Sequence, residues 1–482
     1  MSRPRLVVHA HFYQPFRQDP FTGRVPPDPS AAPFRDWNER ITNECYRPNA
    51  ELGTLEHASW NLGPTLTDYL ADAHPDVLAM FATSDQRGGG SLDGPALAQS
   101  FHHSILPLLA LHDRRTEILW GMRDFEFRFG RRPRGMWLPE AAADLPTLRQ
   151  LADAGIESTI LAPWQADVAS LDNRTPYRVE TGGSHHLNVA FYDAELSGAV
   201  SFDPGVTADA DRFARDRVQP RLMGTLRDGR APMLVIASDG ELYGHHQSFR
   251  DLFLNRLVAP TAAAPGRPYD VVTLADVIAE TPGRPFPLMR IRDRTSWSCH
   301  HGVLRWSAEC PCARDGRWKG PLLAALDRLA GGIDTVTETL ARGLPGLDDV
   351  WEARDRYVDV VIGARSGDEY AGEMLGATAS AADRERLLAL MASQRWRLGM
   401  FASCGWFWGE PTRPETHQVL RAAARAARLA DGLAGTDLEA RLVADLGLFV
   451  APELEIDGAT IYRQALSEVG QPPPRGHERV GD

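Results

Sequence analysis

Met233 to His246 read MLVIASDGELYGHH, an apolar run that breaks abruptly into two carboxylates and two histidines. Met233 to Ile236 are too continuously apolar for a half-exposed edge, so they predict a short buried strand. Ala237 and Ser238 lead out of it into Asp239, Gly240, Glu241, Tyr243, Gly244, His245 and His246, a loop crowded with groups that move protons. The chemistry is therefore expected at the carboxyl end of that strand.

Two earlier stretches have the same shape. Gly135 to Glu140, GMWLPE, reads as a brief strand ending in one carboxylate. Asp144 then caps a helix, Pro146 suits its first turn and Gly155 its end. At the N-terminus, Leu6 to Val8 form a strand running into His9, His11 and Gln14. In a parallel α/β barrel, side chains at strand ends converge from distant parts of the sequence. Glu140 and Asp239 can thus face each other, and two facing carboxylates are what glycoside hydrolysis needs.

Further strands are read at Val77 to Phe81, Ile118 to Trp120, Ser158 to Ala162, Asn188 to Tyr192 and Val271 to Leu274. Helical stretches separate them, at Thr65 to Ala73, Asp124 to Phe129 and near Asp211 to Leu226. Gly88 to Gly90 are read as a turn before a helix carrying His102 and His103, one of which is placed to reach substrate. Residues 16–50 show no clean period and predict a long ordered loop, whose Phe34, Trp37 and Tyr46 either wall a sugar site or form a structural flap. Alternating strand and helix in one domain predicts a parallel sheet closed into a barrel.

Beyond Phe286 the texture changes. Thr295 to Gly320 hold three tryptophans, two histidines and three cysteines. Apolar stripes at helical spacing follow at Leu322 to Leu344, Val350 to Gly363, Ala381 to Met400 and Glu415 to Leu448, predicting a helical bundle. The expected division is a catalytic barrel over 1–285, an aromatic and cysteine-rich connecting segment over the active site at 286–320, a bundle over 321–470 and a loose tail at 471–482.

Several motifs together resemble glycoside hydrolase family 57: HAHFYQP (His9 to Pro15), GMWLPE and SDGELYGHH. The match is nearest to an uncharacterised bacterial branch, through DWNERITNECYRPNA (Asp36 to Ala50), SFHHSILPLL (Ser100 to Leu109), TSWSCHHGVLRW (Thr295 to Trp306) and SCGWFW (Ser403 to Trp408). The resemblance implies a distorted parallel (β/α)7 barrel followed by a C-terminal α-helical bundle. It also implies Glu140 as nucleophile, Asp239 as general acid/base, and a retaining enzyme on starch- or glycogen-like α-glucan. His9 and His11 resemble the family's substrate-binding histidines. Gln14, His103, Trp120, Trp137, Glu241, His245, Trp297, His301 and Trp406 complete the expected sugar-facing set. If configuration is retained, the two carboxyl groups should lie about 5–5.5 Å apart.

Composition narrows the partners. A net charge of −12 over 482 residues disfavours nucleic acid and anionic membrane, which attract basic surfaces, and suits a neutral oligo- or polysaccharide. Lys319 is the single lysine, which disfavours Schiff-base chemistry. The first residues, MSRPRLVVHAHF, lack a signal-peptide core, and no stretch is long and apolar enough to span a membrane, so a cytoplasmic protein is expected. Five cysteines predict reduced thiols rather than a disulfide framework. Cys299, Cys310 and Cys312 fall beside His300 and His301 at a spacing that matches no standard zinc motif, and packed thiols are the reading adopted, with no metal or cofactor assigned.

Two other functions compete. His9, His11, Asp239 and His245 could hold zinc for carbohydrate deacetylation, which leaves Glu140 no necessary role. A non-catalytic carbohydrate-binding protein would need neither carboxylate.

Overall fold

The computed structural model describes residues 3–88, 94–182, 185–226, 229–260, 266–279, 285–451, 455–467 and 469. The tail expected at 471–482, together with Gly89 and Gly90, lies outside them. Two compact units are present. The first comprises residues 1–14, 37–101 and 125–300, and the second 15–36, 102–124 and 301–482. The chain therefore does not divide into the consecutive blocks expected from the sequence, because segments 15–36 and 102–124 belong with the C-terminal helices.

The first unit is built on β1 (Arg5–Phe12), β2 (Ser59–Leu62), β3 (Ala96–Gln99), β4 (Met136–Trp137), β5 (Ser158–Leu161), β6 (Tyr177–Glu180), β7 (His186–Phe191), β8 (Met233–Asp239), β9 (Asp270–Val271) and β10 (Leu288–Met289). β1 lies parallel between β8 and β2, β2 pairs with β3, and β3 with β4. A parallel bridge from Gly135 to Ser158 carries the sheet on to β5, which pairs parallel with β7. The Asp193 N–H then donates to Val235 O at 2.8 Å and closes the ring onto β8. Seven parallel strands thus form a (β/α)7 barrel. β6, antiparallel to β7, and β10 beside it distort that side.

Period-two alternation decides what fills the barrel. Val7, Val235, Ala237, Ile160, Ala162 and Ala190 form one buried cluster with Trp137 and Tyr192. Continuing the same parity, Val7 leads to His9 and His11, and Val235 leads through Ala237 to Asp239. Polar groups therefore reach the strand ends on the face that the apolar cluster fills lower down.

Several expected elements differ. Val77 to Phe81 lie in the helix Pro75–Arg87, where Val77, Phe81, Ser84 and Asp85 are its buried face; apolar residues four apart fit a helix turn better than a strand. Ile118 to Trp120 belong to one helix, Leu111–Phe129, with Ile118, Met122, Phe125 and Phe129 buried along it. His102 and His103 sit in the turn after β3, with His103 at φ 59°. Residues 37–51, expected to be loop, are helical, with five residues wound as a π turn at Thr42–Tyr46.

The second unit is helical, with Lys319–Ala341, Ala381–Gly399 and Pro414–Ala434 its longest members. The stripe read as Glu415 to Leu448 is two helices, since Gly435 takes the left-handed conformation (φ 66°) that ends the first. Asp113 sits buried between Arg354 and Arg397, and Arg397 also reaches Asp334. Burial pushes the Asp113 carboxyl up, but the two guanidinium groups outweigh it and hold it below the usual range. Among the described residues no helix is long and apolar enough to cross a membrane.

Candidate active site

Glu140 leaves the end of β4 in an unusual backbone state. It has φ 56° and ψ 20°, and Ala141 follows at φ 45°. The left-handed region costs a residue with a β-carbon about 1–2 kcal/mol, so surrounding bonds must hold the turn. Trp297 N–H donates to Glu140 O at 2.9 Å, Ala141 N–H to Leu138 O at 2.8 Å, and Ala143 pairs with Thr295 through two backbone bonds. Gln165 Nε2 donates to Ala141 O at 2.9 Å.

The same segment grips the carboxylate. Oε2 of Glu140 accepts from Ser298 Oγ at 2.6 Å and from Trp297 Nε1 at 3.1 Å. Two donors on one oxygen fix the plane of the group.

An aromatic wall runs from there to β1. Trp297 meets Trp137 edge-on at 4.9 Å between centroids, and Trp137 stacks on His11 at 5.0 Å and on His9 at 4.8 Å. In register, His11 stands opposite Asn61 of β2 on one side and Asp239 of β8 on the other.

Asn61 sets the histidine tautomers. Its Nδ2 donates to Gln99 Oε1 at 2.8 Å, which turns Oδ1 toward His9 Nε2 at 3.2 Å and His11 Nδ1 at 3.1 Å. An amide oxygen only accepts, so both nitrogens carry protons. His9 Nδ1 is then the acceptor for Ser59 Oγ at 3.1 Å, and His11 presents Nε2 as an acceptor. Burial lowers the His9 pKa to about 3, with His11 nearby adding to it, and burial lowers His11 to about 4. Both rings stay neutral at physiological pH.

Asp239 ends β8 with its side chain exposed. Gly240 follows because a β-carbon there would stand 2.2 Å from the Phe12 ring. Glu241 turns inward, where Oε1 accepts from Tyr46 OH at 2.7 Å and from Tyr13 N–H at 3.0 Å. Burial, reinforced by the charge of Asp239, raises its pKa to about 8.

The expected residues therefore separate. Glu140, Trp297, Trp137 and His11 form one connected group, with Asp239 beside His11 in the sheet. Trp137 and His9 are fully buried, so they back the site rather than offer a surface to a sugar. Glu241 is likewise enclosed, and its carboxyl is taken up by Tyr46 and Tyr13. His245 Nδ1 binds Glu44 Oε2 at 2.6 Å with its ring against Trp37. Gln14 is buried, and its carbonyl accepts from Thr65 Oγ1.

Four expected residues lie in the second unit. Trp120 is fully buried and donates its indole N–H to Arg354 O at 3.1 Å. His103 is buried with Nδ1 2.7 Å from Ser403 Oγ. Trp406 is 2% exposed. His301 turns Nδ1 toward the sulfurs of Cys310 and Cys312. The zinc set His9, His11, Asp239 and His245 is not assembled either: His9 and His245 are engaged as above, and among the described residues the clustered metal-ligand types are elsewhere.

Asn61, Gln99 and Ser298 escaped the sequence reading. Ser298 stands inside TSWSCHH, whose neighbouring tryptophan and histidine drew attention from it. Asn61 and Gln99 are single polar residues in four-residue strands, and only barrel pairing brings them together.

Comparisons with known proteins agree with this architecture. The model of glycosyl hydrolase family 57 matches residues 43–287, and that of a domain of unknown function (DUF3536) matches 315–469. A 4-alpha-glucanotransferase of Thermococcus litoralis is 25% identical over 173 residues, 34% of this chain and 25% of that protein. An alpha-amylase of Pyrococcus abyssi is 22% identical over 214 residues, 43% of this chain and 30% of that protein. The matches thus span between a quarter and a third of the length of these curated relatives. The crystal structure of an exo-type maltose-forming amylase from Pyrococcus sp. ST04 superposes with a TM-score of 0.72 at 14% identity, covering 96% of this chain and 83% of that one. That likeness is one of fold.

Proposed function

The chain belongs to glycosyl hydrolase family 57, whose model spans half of it, and on that premise we propose that it is a retaining enzyme acting on α-linked glucan. The observation that carries this reading is the held carboxylate of Glu140, fixed by Ser298 and Trp297 at the mouth of a barrel whose β8 ends in Asp239.

In the first step a carboxylate oxygen of Glu140 bonds to the anomeric carbon as the bond to the leaving oxygen breaks, and Asp239 gives that oxygen its proton. In the second, Asp239 takes a proton from the incoming hydroxyl, whose oxygen displaces Glu140. Water as that hydroxyl gives hydrolysis; a sugar hydroxyl gives chain transfer or branching. The neutral His11, with Nε2 as an acceptor, suits a sugar hydroxyl donor. An oligo- or polysaccharide is the partner this chemistry requires.

Time-resolved proton NMR with maltoheptaose and with amylose tests it, comparing the wild type with Glu140→Gln. New α-anomeric signal absent from the variant is the expected result, and product lengths or α-1,6 signal separate hydrolysis, transfer and branching. Binding of the oligosaccharide without turnover would instead favour a carbohydrate-binding protein.

A further inference from the structure

Cys299, His301, Cys310 and Cys312 lie within one fourteen-residue stretch, and one ligand atom from each falls within 4.8 Å of all the others. All five cysteines of the chain are thiols; the other two, Cys45 and Cys404, stand outside this group. We propose that these four residues bind one zinc ion, as a closed Cys3His site with no catalytic role of its own.

Geometry supports a shared ion. His301 Nδ1 is 3.5 Å from Cys310 Sγ and 3.3 Å from Cys312 Sγ. A tetrahedral zinc with Zn–S of about 2.3 Å and Zn–N of about 2.0–2.1 Å sets S···N near 3.5 Å and S···S near 3.8 Å. A hydrogen bond explains the arrangement less well. One imidazole nitrogen offers a single proton or a single lone pair, yet two sulfurs flank it at nearly equal distance.

Local backbone preorganises the donors. Ala313 N–H donates to Cys310 O at 2.8 Å, tightening the turn that carries Cys310 and Cys312. Arg305 Nη2 donates to Cys312 O at 3.1 Å, and buried Lys319 donates to Arg305 O at 2.8 Å. The Arg305 guanidinium thus stands at the Cys312 backbone, where its charge opposes the negative charge that three thiolates leave on a divalent ion. Cys299 and Cys310 are buried, whereas His301 and Cys312 are exposed, which gives the ion a way in. Three thiolates select a soft or borderline ion over magnesium or calcium.

The site has a mechanical consequence that rests on the proposed function. Trp297 and Ser298, the donors to Glu140, immediately precede Cys299. Zinc on Cys299 would pin the end of the strap that orients the nucleophile.

Elemental analysis of the full-length protein, purified without chelators, should find one zinc per chain. Cys310→Ser and Cys312→Ser should each hold less than a tenth of it, and Cys404→Ser the full amount. Cobalt reconstitution of the wild type keeps the test decisive where a variant does not fold, because thiolate-to-cobalt charge transfer should appear in the near ultraviolet. Protein lacking both zinc and that absorption, a Cys310–Cys312 disulfide in peptide maps, or full zinc in the two serine variants would overturn the proposal. Stoichiometric zinc in a protein inactive on glucans would leave this site standing and remove the α-glucan reading.

Discussion

Ser298 Oγ lies 2.6 Å from Glu140 Oε2, although 158 residues separate them in the chain. The hydroxyl belongs to a segment that also donates a backbone N–H and an indole N–H to the same glutamate. One strap therefore fixes both the strained backbone of Glu140 and the direction of its carboxylate.

Ser298→Ala removes a hydrogen bond to a charged group, worth about 1.5–3 kcal/mol. Initial rates on maltoheptaose should show kcat lowered by about 10- to 100-fold with KM changed little. A rise in KM at constant kcat would mean that Ser298 binds substrate instead of positioning Glu140.

On the proposed mechanism, Asp239→Asn deprives the leaving oxygen of its proton. Rates on maltooligosaccharides should fall by about 10²–10⁴-fold, whereas formation of the glycosyl-enzyme from an aryl glycoside with an acidic phenol should fall far less. Equal losses on both substrates, followed by pre-steady-state release of the phenol, would remove Asp239 from the acid role.

Glu241 binds its proton more tightly folded than unfolded, since its pKa is raised from the ordinary 4.5 to about 8. Its contribution to stability is thus present below the unfolded value and is lost as pH rises through about 8. Glu241→Gln keeps an oxygen for Tyr46 and Tyr13 and loses the titration. Urea unfolding from pH 5 to 9 should show the variant gaining on the wild type by about 1 kcal/mol per pH unit within that window. A constant difference across the range would refute the assignment.

Asp113→Ala leaves Arg354 and Arg397 facing each other without the carboxylate between them. Breaking a buried ion pair from one side destabilises by about 3–5 kcal/mol, and chemical denaturation of the full chain should register a loss of that size. Because the Asp113 pKa is depressed, the wild-type advantage should persist at neutral pH and vanish as pH falls below the usual carboxylate range.

β1, β4 and β8 were legible because each is an apolar run that stops at a polar group, a pattern that survives without any knowledge of neighbours. The polar residues at their ends were legible for the same reason. β2 and β3 were not: SWNL and ALAQ are too short to show a period, and the roles of Asn61 and Gln99 exist only across strands. Val77 to Phe81 alone are too short a stretch to show a helical period, which becomes plain only when Ser84 and Asp85 extend the buried face. Trp120, His103 and Trp406 carry rings that suit sugar contact, yet rings of that size also fill cores, and in the second unit these are buried. The His301 ring suits sugar contact in isolation, yet its cysteine neighbours in sequence, Cys310 and Cys312, are also its neighbours in space.

Among the described residues, the ring of seven strands is fastened at one seam by the amide of Asp193 on Val235 and by the amide of Ala237 on Ser197 Oγ, whereas β1 is stitched along its length to β8. A hoop opens first where its ties are fewest. Each such bond contributes only about 1 kcal/mol net, so breathing at this clasp requires far less energy than parting β1 from β8. In deuterated water the Asp193 amide should exchange well ahead of those along the β1–β8 interface, giving the barrel a hinge line between β7 and β8.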